Sequence, residues 1–135
     1  IVTSANYDDY VEAFAAGWGP AASNREALIE AKPRLFAEDS IYRCFVARLE
    51  GRPVGAASYA TRPECGYLMG AAVSPETRGK GVYRQLVAAR MNDLRVRGFE
   101  LGVTHARNTT SAPVLEKLGF QPVFEGEIFR FSRSS

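Results

Sequence analysis

The sequence is short of the residues that would assign it to several common protein classes. Of 135 residues only two are cysteine, Cys44 and Cys65. They make no disulfide framework and lack the close pairing of a zinc site. No metal is therefore expected, and a reduced, cytoplasmic setting is the simplest expectation. No stretch approaches the ~18 consecutive apolar residues of a membrane span. No basic segment precedes an apolar one, as a secretory leader requires. An excess of one charge is missing too: 17 Lys and Arg against 15 Asp and Glu leave +2. A nucleic-acid binder would show a concentrated basic surface, so neither nucleic acid nor membrane is expected as a partner. Repeats, low-complexity tracts and linkers are also lacking. Ile1 is not an initiator Met, so the chain reads as a trimmed protein or as one domain of a longer one.

What is present is ordinary for a soluble globular protein: 46% apolar and 24% charged residues. The length suits one domain, 1–135, with one core. Ile1–Thr3 reads as the stub of a first strand. Tyr7, Tyr10, Val11, Phe14 and Trp18 recur at helical spacing, and Gly17, Gly19 and Pro20 end that helix. Ser23 and Glu26 form a capping-box pattern for a second helix with Leu28, Ile29, Leu35 and Phe36 as its buried face. Pro33 should kink or end it. The pattern then turns to strands: Tyr42–Leu49, a tight turn at Glu50-Gly51-Arg52, and Val54–Tyr59 returning antiparallel. The small residues Gly55, Ala56, Ala57 and Ser58 imply close packing. Tyr67–Val73 reads as a central strand buried on both faces.

Tyr83, Leu86, Val87, Met91 and Leu94 mark a long amphipathic helix that Gly98 stops. The basic residues Arg84, Arg90, Arg95 and Arg97 read as its solvated face, with Arg84 nearest the loop before it. Phe99, Leu101 and Val103 alternate as a strand, and pairing beside Tyr67–Val73 would complete a right-handed crossover. A short helix capped by Thr110 or Ser111 ends at Leu118, with Gly119 behind it. Strands near Phe120–Phe124 and Glu127–Phe131 close the chain. The sum is α/β with a mixed sheet.

The segment Val73-Ser74-Pro75-Glu76-Thr77-Arg78-Gly79-Lys80-Gly81-Val82-Tyr83 concentrates the chemistry. A strand ends, and a glycine-bearing loop opens a helix whose first N–H groups lack internal partners and carry about +0.5 charge. Gly79 and Gly81 leave room for an anion, and Arg78 and Lys80 add positive charge. This suits a diphosphate. A Walker loop does not fit, because Gly81 follows Lys80. The dinucleotide fingerprint fails because Arg84 stands at its last position. Gly17-Trp18-Gly19-Pro20-Ala21-Ala22 matches that fingerprint formally but follows a helical pattern rather than a strand.

Arg78-Gly79-Lys80-Gly81-Val82-Tyr83 resembles the acetyl-CoA motif of the GNAT superfamily of N-acetyltransferases, Arg/Gln-x-x-Gly-x-Gly/Ala, with Tyr83 replacing the last small residue. Asn108 through Ser111, followed by Leu115-Glu116-Lys117-Leu118-Gly119-Phe120, resembles a second segment of the family. The resemblance implies a GNAT-like mixed, mostly antiparallel sheet of about six to seven strands flanked by about four helices. It also implies a splayed pair between Tyr67–Val73 and Glu100–Thr104. It further implies acetyl-CoA or another acyl-CoA as acyl donor and direct attack of an amine on the thioester. In that reading Arg78, Gly79, Lys80, Gly81, Val82 and Tyr83 hold the diphosphate. Val73 pairs with the pantetheine arm, and Asn108 and Ser111 contact the arm or support the site.

The proton chemistry departs from the family. Many members carry a tyrosine acid where this chain has Leu115, and some carry a glutamate base at about the position of Tyr67. The substitutes are Tyr67, His105 and Tyr83. Tyr67 also fits a core aromatic, His105 a partly exposed strand-end residue, and Tyr83 a cover for the loop. Glu64 reads as a solvated turn carboxylate that could bind an ammonium, and Cys65 as an idle thiol. Helices one and two with the loop Gly17–Ser23, and aromatics such as Trp18, Tyr42 and Phe124, would shape the acceptor side. The expected acceptor is a small-molecule or peptide amine. A homodimer or an attached further domain stays open. The alternative to an enzyme is a non-catalytic acyl-CoA sensor on the same fold.

Overall fold

The apolar, branched and small residues between 42 and 73 fold as three successive antiparallel strands. They are β1 (Tyr42–Leu49), β2 (Arg52–Thr61) and β3 (Gly66–Val73). A short β4 (Gly102–Thr104) joins β3 in parallel, giving the order β1-β2-β3-β4. The structure is a computed structural model and describes residues 1–18, 22–106, 110–123 and 125–127. The β1–β2 turn places Glu50 and Gly51 at φ 52° and 80°. Two left-handed residues in succession give the turn whose twist matches that of the strands.

The chain forms two units, Ile1–His105 and Ala106–Ser135. In the first, α1 (Tyr7–Trp18) and α2 (Ala22–Leu35) precede the sheet, and α3 (Val82–Val96) connects β3 to β4. Tyr7, Tyr10, Val11 and Ala13 of α1 are buried with Val2, Cys44 and Ala56. On the opposite face, a Cβ at Gly55 would stand 2.7 Å from Val82, and one at Gly102 2.5 Å from the Met91 sulfur. Neighbours along a strand point to opposite faces, so α1 and α3 sandwich β2. The small residues of β2 are what permit this closeness. The second unit contains α4 (Ser111–Lys117), which closes with Gly119 at φ 101° and the Phe120 N–H donating to the Leu115 carbonyl at 3.0 Å.

A polar network ties α3 to the sheet. Arg43 donates to Asp93 at 3.0 Å, the Tyr59 hydroxyl donates to the same carboxylate, and Arg97 donates to the Tyr59 oxygen at 2.7 Å. Arg97 also lies 5.8 Å over the Phe99 ring. It is therefore not merely a solvated residue.

Several expectations change. Four strands are present among the described residues, rather than six to seven. Ile1–Thr3 is not a strand, although the Val2 N–H donates to the Cys44 carbonyl at 2.8 Å. The described residues of 120–123 and 125–127 are not strand, and the rest of the expected closing hairpin, including Phe124, lies outside them. α2 runs through Pro33 to Leu35, and Ile29 is 57% exposed rather than core. β3 is not buried on both faces, since Met69 is exposed.

Candidate active site

The site grows from a fork in the sheet, the point where β3 runs on beyond the end of its pairing with β4. β3 and β4 pair in parallel through Gly66↔Gly102, Tyr67↔Val103 and Leu68↔Thr104. The Thr104 hydroxyl donates to the Leu68 carbonyl at 2.9 Å. Beyond that pair, no further β3–β4 pairing occurs among the described residues. The edge of β3 from Met69 to Val73 thus opens away from β2.

A bulge sits at this point. Between Ser58↔Met69 and Ala56↔Ala72, β3 spends one residue more than β2, and Gly70 takes φ 58°. The Met69 carbonyl accepts from the Ser58 hydroxyl at 3.2 Å, so it faces β2. In a planar trans peptide the N–H points opposite to the C=O, so the Gly70 N–H points toward the open edge. A glycine inside an apolar strand is the sequence signal for such a bulge, and it is the feature that strand patterning alone passes over.

Tyr67 and His105 meet at the fork. Tyr67 is opposite Val103, and His105 lies two positions farther along, so alternation places both on one face. The Tyr67 hydroxyl and His105 Nδ1 are hydrogen bonded at 2.7 Å, with the rings edge to face. Tyr67 is half-buried, not packed in the core.

At the far end of β3, the Ser74 N–H donates to the Val54 carbonyl at 2.8 Å, and a turn of 3-10 helix follows, Pro75–Thr77. Thr77 is buried, and its hydroxyl donates to the Ser74 carbonyl at 3.1 Å. Gly79 and Gly81 take φ 83° and 81°, and among the described residues a Cβ on either would meet nothing within 4 Å. The glycines therefore serve the left-handed backbone, and the space above them is open. The first intrahelical bond of α3 runs from the Gln85 N–H to the Gly81 carbonyl at 3.1 Å. The amides of Val82, Tyr83 and Arg84 precede it and have no intrahelical acceptor.

The remaining candidates separate. Val82 buries its side chain against Gly55, which leaves its amide as its contribution to the loop. Lys80 is exposed and shares a cavity of about 190 Å³ with Glu50, Arg52 and Glu76. The Arg78 guanidinium donates to the Gly17 carbonyl at 3.3 Å, tying the loop to the end of α1. Tyr83 is half-buried, and burial raises its pKa, offset in part by the Arg90 charge. Val73 ends β3, and Ser111 opens α4 in the second unit. Asn108 lies outside the described residues. Glu64 and Arg84 are exposed, and Cys65 is partly so.

Arg90 overturns its sequence reading. Far from a solvated face, it is 2% exposed. Residues 82, 86, 90 and 94 lie on one stripe of α3, and the spacing from Leu86 and Leu94 was the signal that could have placed it.

Residues 4–120 match the family described as Acetyltransferase (GNAT) family. The chain belongs to this family. No curated protein matches the sequence. Among solved structures, the aminoglycoside N-acetyltransferase AAC(6')-Iy in complex with CoA is 20% identical, with a TM-score of 0.78 over 96% of this chain and 91% of that one. The ribosomal-protein-alanine N-acetyltransferase of Brucella melitensis biovar Abortus 2308 is 16% identical, with a TM-score of 0.74 over 96% of each chain. A predicted acetyltransferase from Clostridium acetobutylicum with acetyl-CoA is 17% identical, with a TM-score of 0.71 over 96% of this chain and 92% of that one. At these identities the likeness is one of GNAT fold.

Proposed function

We propose that this GNAT chain is an N-acyltransferase that moves an acetyl or other short acyl group from an acyl-CoA to a primary amine. The observation that carries the reading is the fork. An open β3 edge runs from the Tyr67–His105 pair to a loop whose left-handed glycines leave open space before a helix start.

The residues present fit the donor. Lys80 and the amides of Val82, Tyr83 and Arg84 would hold the diphosphate, and Gly79 and Gly81 give it room. Arg78 would join them by releasing the Gly17 carbonyl or would instead brace the loop from behind. The Val73 edge would pair with the pantetheine arm, and the Gly70 N–H would polarise the thioester carbonyl. The donor supplies an acyl group already activated as a thioester.

The acceptor arrives as an ammonium and must lose a proton before it attacks. Tyr67 takes that proton on its oxygen while its own hydroxyl proton passes to His105 Nδ1. The amine nitrogen then bonds the acyl carbon and the carbon–sulfur bond breaks. Tyr83, kept protonated by burial, gives its proton to the departing thiolate and recovers one from the new amide nitrogen through water. The two protons shed by the ammonium thus end on His105 and on sulfur.

Calorimetric titration with acetyl-CoA, followed by release of free CoA thiol over a panel of polyamines, aminoglycosides, amino acids and peptide N-termini, tests the proposal. Binding with acceptor-dependent thiol release is expected. Lack of binding at submillimolar acetyl-CoA overturns it. Tight binding without turnover on any amine assigns the chain to an acyl-CoA sensor instead, the reading that Leu115 keeps open.

A further inference from the structure

The largest fully buried side chain among the described residues is a cation, Arg90. Burying a charge is costly unless it is paired and hydrogen bonded. Among the described residues no carboxylate pairs with Arg90; its acceptors are all backbone carbonyls. Its Nε donates to Leu86 at 3.0 Å, and one terminal nitrogen donates to Ser58 at 3.0 Å and to Met69 at 3.4 Å. Burial draws its pKa down to about 10, with the Tyr83 and Tyr10 hydroxyls opposing, so it remains a cation at neutral pH.

Ser58 and Met69 are the register pair at which β2 and β3 fall out of step. The guanidinium therefore grips both carbonyls on the flank of the bulge, from the α3 side. The Met69 oxygen it holds belongs to the same peptide unit as the Gly70 N–H. Fixing one fixes the other, aimed at the open edge. Because no carboxylate cancels it, the positive charge also stands behind that peptide in a low-dielectric interior, where charge interactions are strong.

We propose that Arg90 is a positioning residue for the acyl transfer step, holding the β3 bulge so that the Gly70 N–H is aimed at the thioester carbonyl and adding positive potential behind it. The proposal rests on the acyl-CoA reading above. Negative charge grows on that carbonyl oxygen as the amine attacks, so Arg90 stabilises the transition state more than the bound donor.

The test uses acetyl-CoA carrying carbon-13 in the acetyl carbonyl, bound to the full chain without acceptor. At saturation the wild-type protein shifts the carbonyl resonance downfield and its infrared stretch to lower frequency. Arg90→Met, similar in volume, loses about half or more of that shift at saturation, with the acetyl-CoA dissociation constant within about threefold of wild type. Arg90→Lys keeps the charge without the fork and recovers part of the shift. Equal carbonyl shifts in wild type and in both variants overturn the role of Arg90 and leave the acyl-CoA reading intact. Absence of acetyl-CoA binding to the wild type overturns both. If Arg90→Met fails to fold, Arg90→Lys decides: a wild-type carbonyl shift in that variant overturns the aiming role.

Discussion

The hydroxyl of Tyr67 on β3 and Nδ1 of His105, one residue past the end of β4, lie 2.7 Å apart. Neither side chain is adjacent to the other in sequence; the parallel register brings them together. Tyr67→Phe removes the relay oxygen and keeps the ring. With an acceptor found in the amine panel, kcat should fall about 100-fold while acetyl-CoA affinity stays unchanged. His105→Asn should do the same. The double variant should be no worse than either single one, because the two act as a unit. Multiplying losses in the double variant would show that they act separately.

Gly81 separates backbone strain from charge. Gly81→Ala and Gly81→Glu both force a side chain onto φ 81°, and each should cost stability by roughly 1–2 kcal/mol in urea unfolding. Only Gly81→Glu places an anion over the helix start, so it alone should abolish acetyl-CoA binding by calorimetry. Unchanged affinity in Gly81→Glu would refute the diphosphate site.

Asp93 is the hub between α3 and the sheet. Its carboxylate serves Arg43 and Tyr59, and Arg97 leans on the Tyr59 oxygen. Asp93→Ala leaves two cations and a hydroxyl facing one another with no anion. A loss of roughly 2–4 kcal/mol is expected in denaturant unfolding. Arg43→Ala should cost less, since that guanidinium is partly exposed. The reverse ranking would contradict the hub role.

Alkaline pH should unfold the protein early. Burial raises Cys44 from 9.0 to about 11, a rise that a hydrogen bond from Tyr10 partly offsets. Burial and the nearby Cys44 raise Tyr7 from 10.0 to about 12. In both, the folded chain holds its proton more tightly than the unfolded chain. That contribution to stability is whole below the ordinary pKa and is lost as pH climbs through the folded value. Melting temperature should therefore decline from about pH 9 toward pH 12, and Cys44→Ala should flatten the first part of the decline. A slope unaltered in Cys44→Ala would rule out this origin.

Much of this was readable from residue order. β1 occupies the run of branched and aromatic residues, Tyr42–Leu49, and α3 follows its apolar period. The glycine loop sits between strand and helix as its composition implies. What escaped was set by tertiary packing. Pro33 sits inside α2, whose last turn continues past it. Ile29 falls at the apolar spacing of α2, yet it stays exposed. The charge of Arg90 points to solvent while its place on the α3 stripe points to the core, and a residue type says nothing of the backbone carbonyls waiting for it. The meeting of Tyr67 with His105 depends on strand register, which no local pattern encodes.

Arg90 also bears on how this protein would respond to selection. Burying a cation is costly, yet an apolar side chain in its place would take a donor from the Ser58 and Met69 carbonyls, at roughly 1–3 kcal/mol for a stranded acceptor. Screening variants for heat resistance alone should therefore lose Arg90 only alongside changes that give those carbonyls another donor. Screening the same library for turnover should keep it. Position 90 would then mark where endurance can be rebuilt by other residues and catalytic speed cannot.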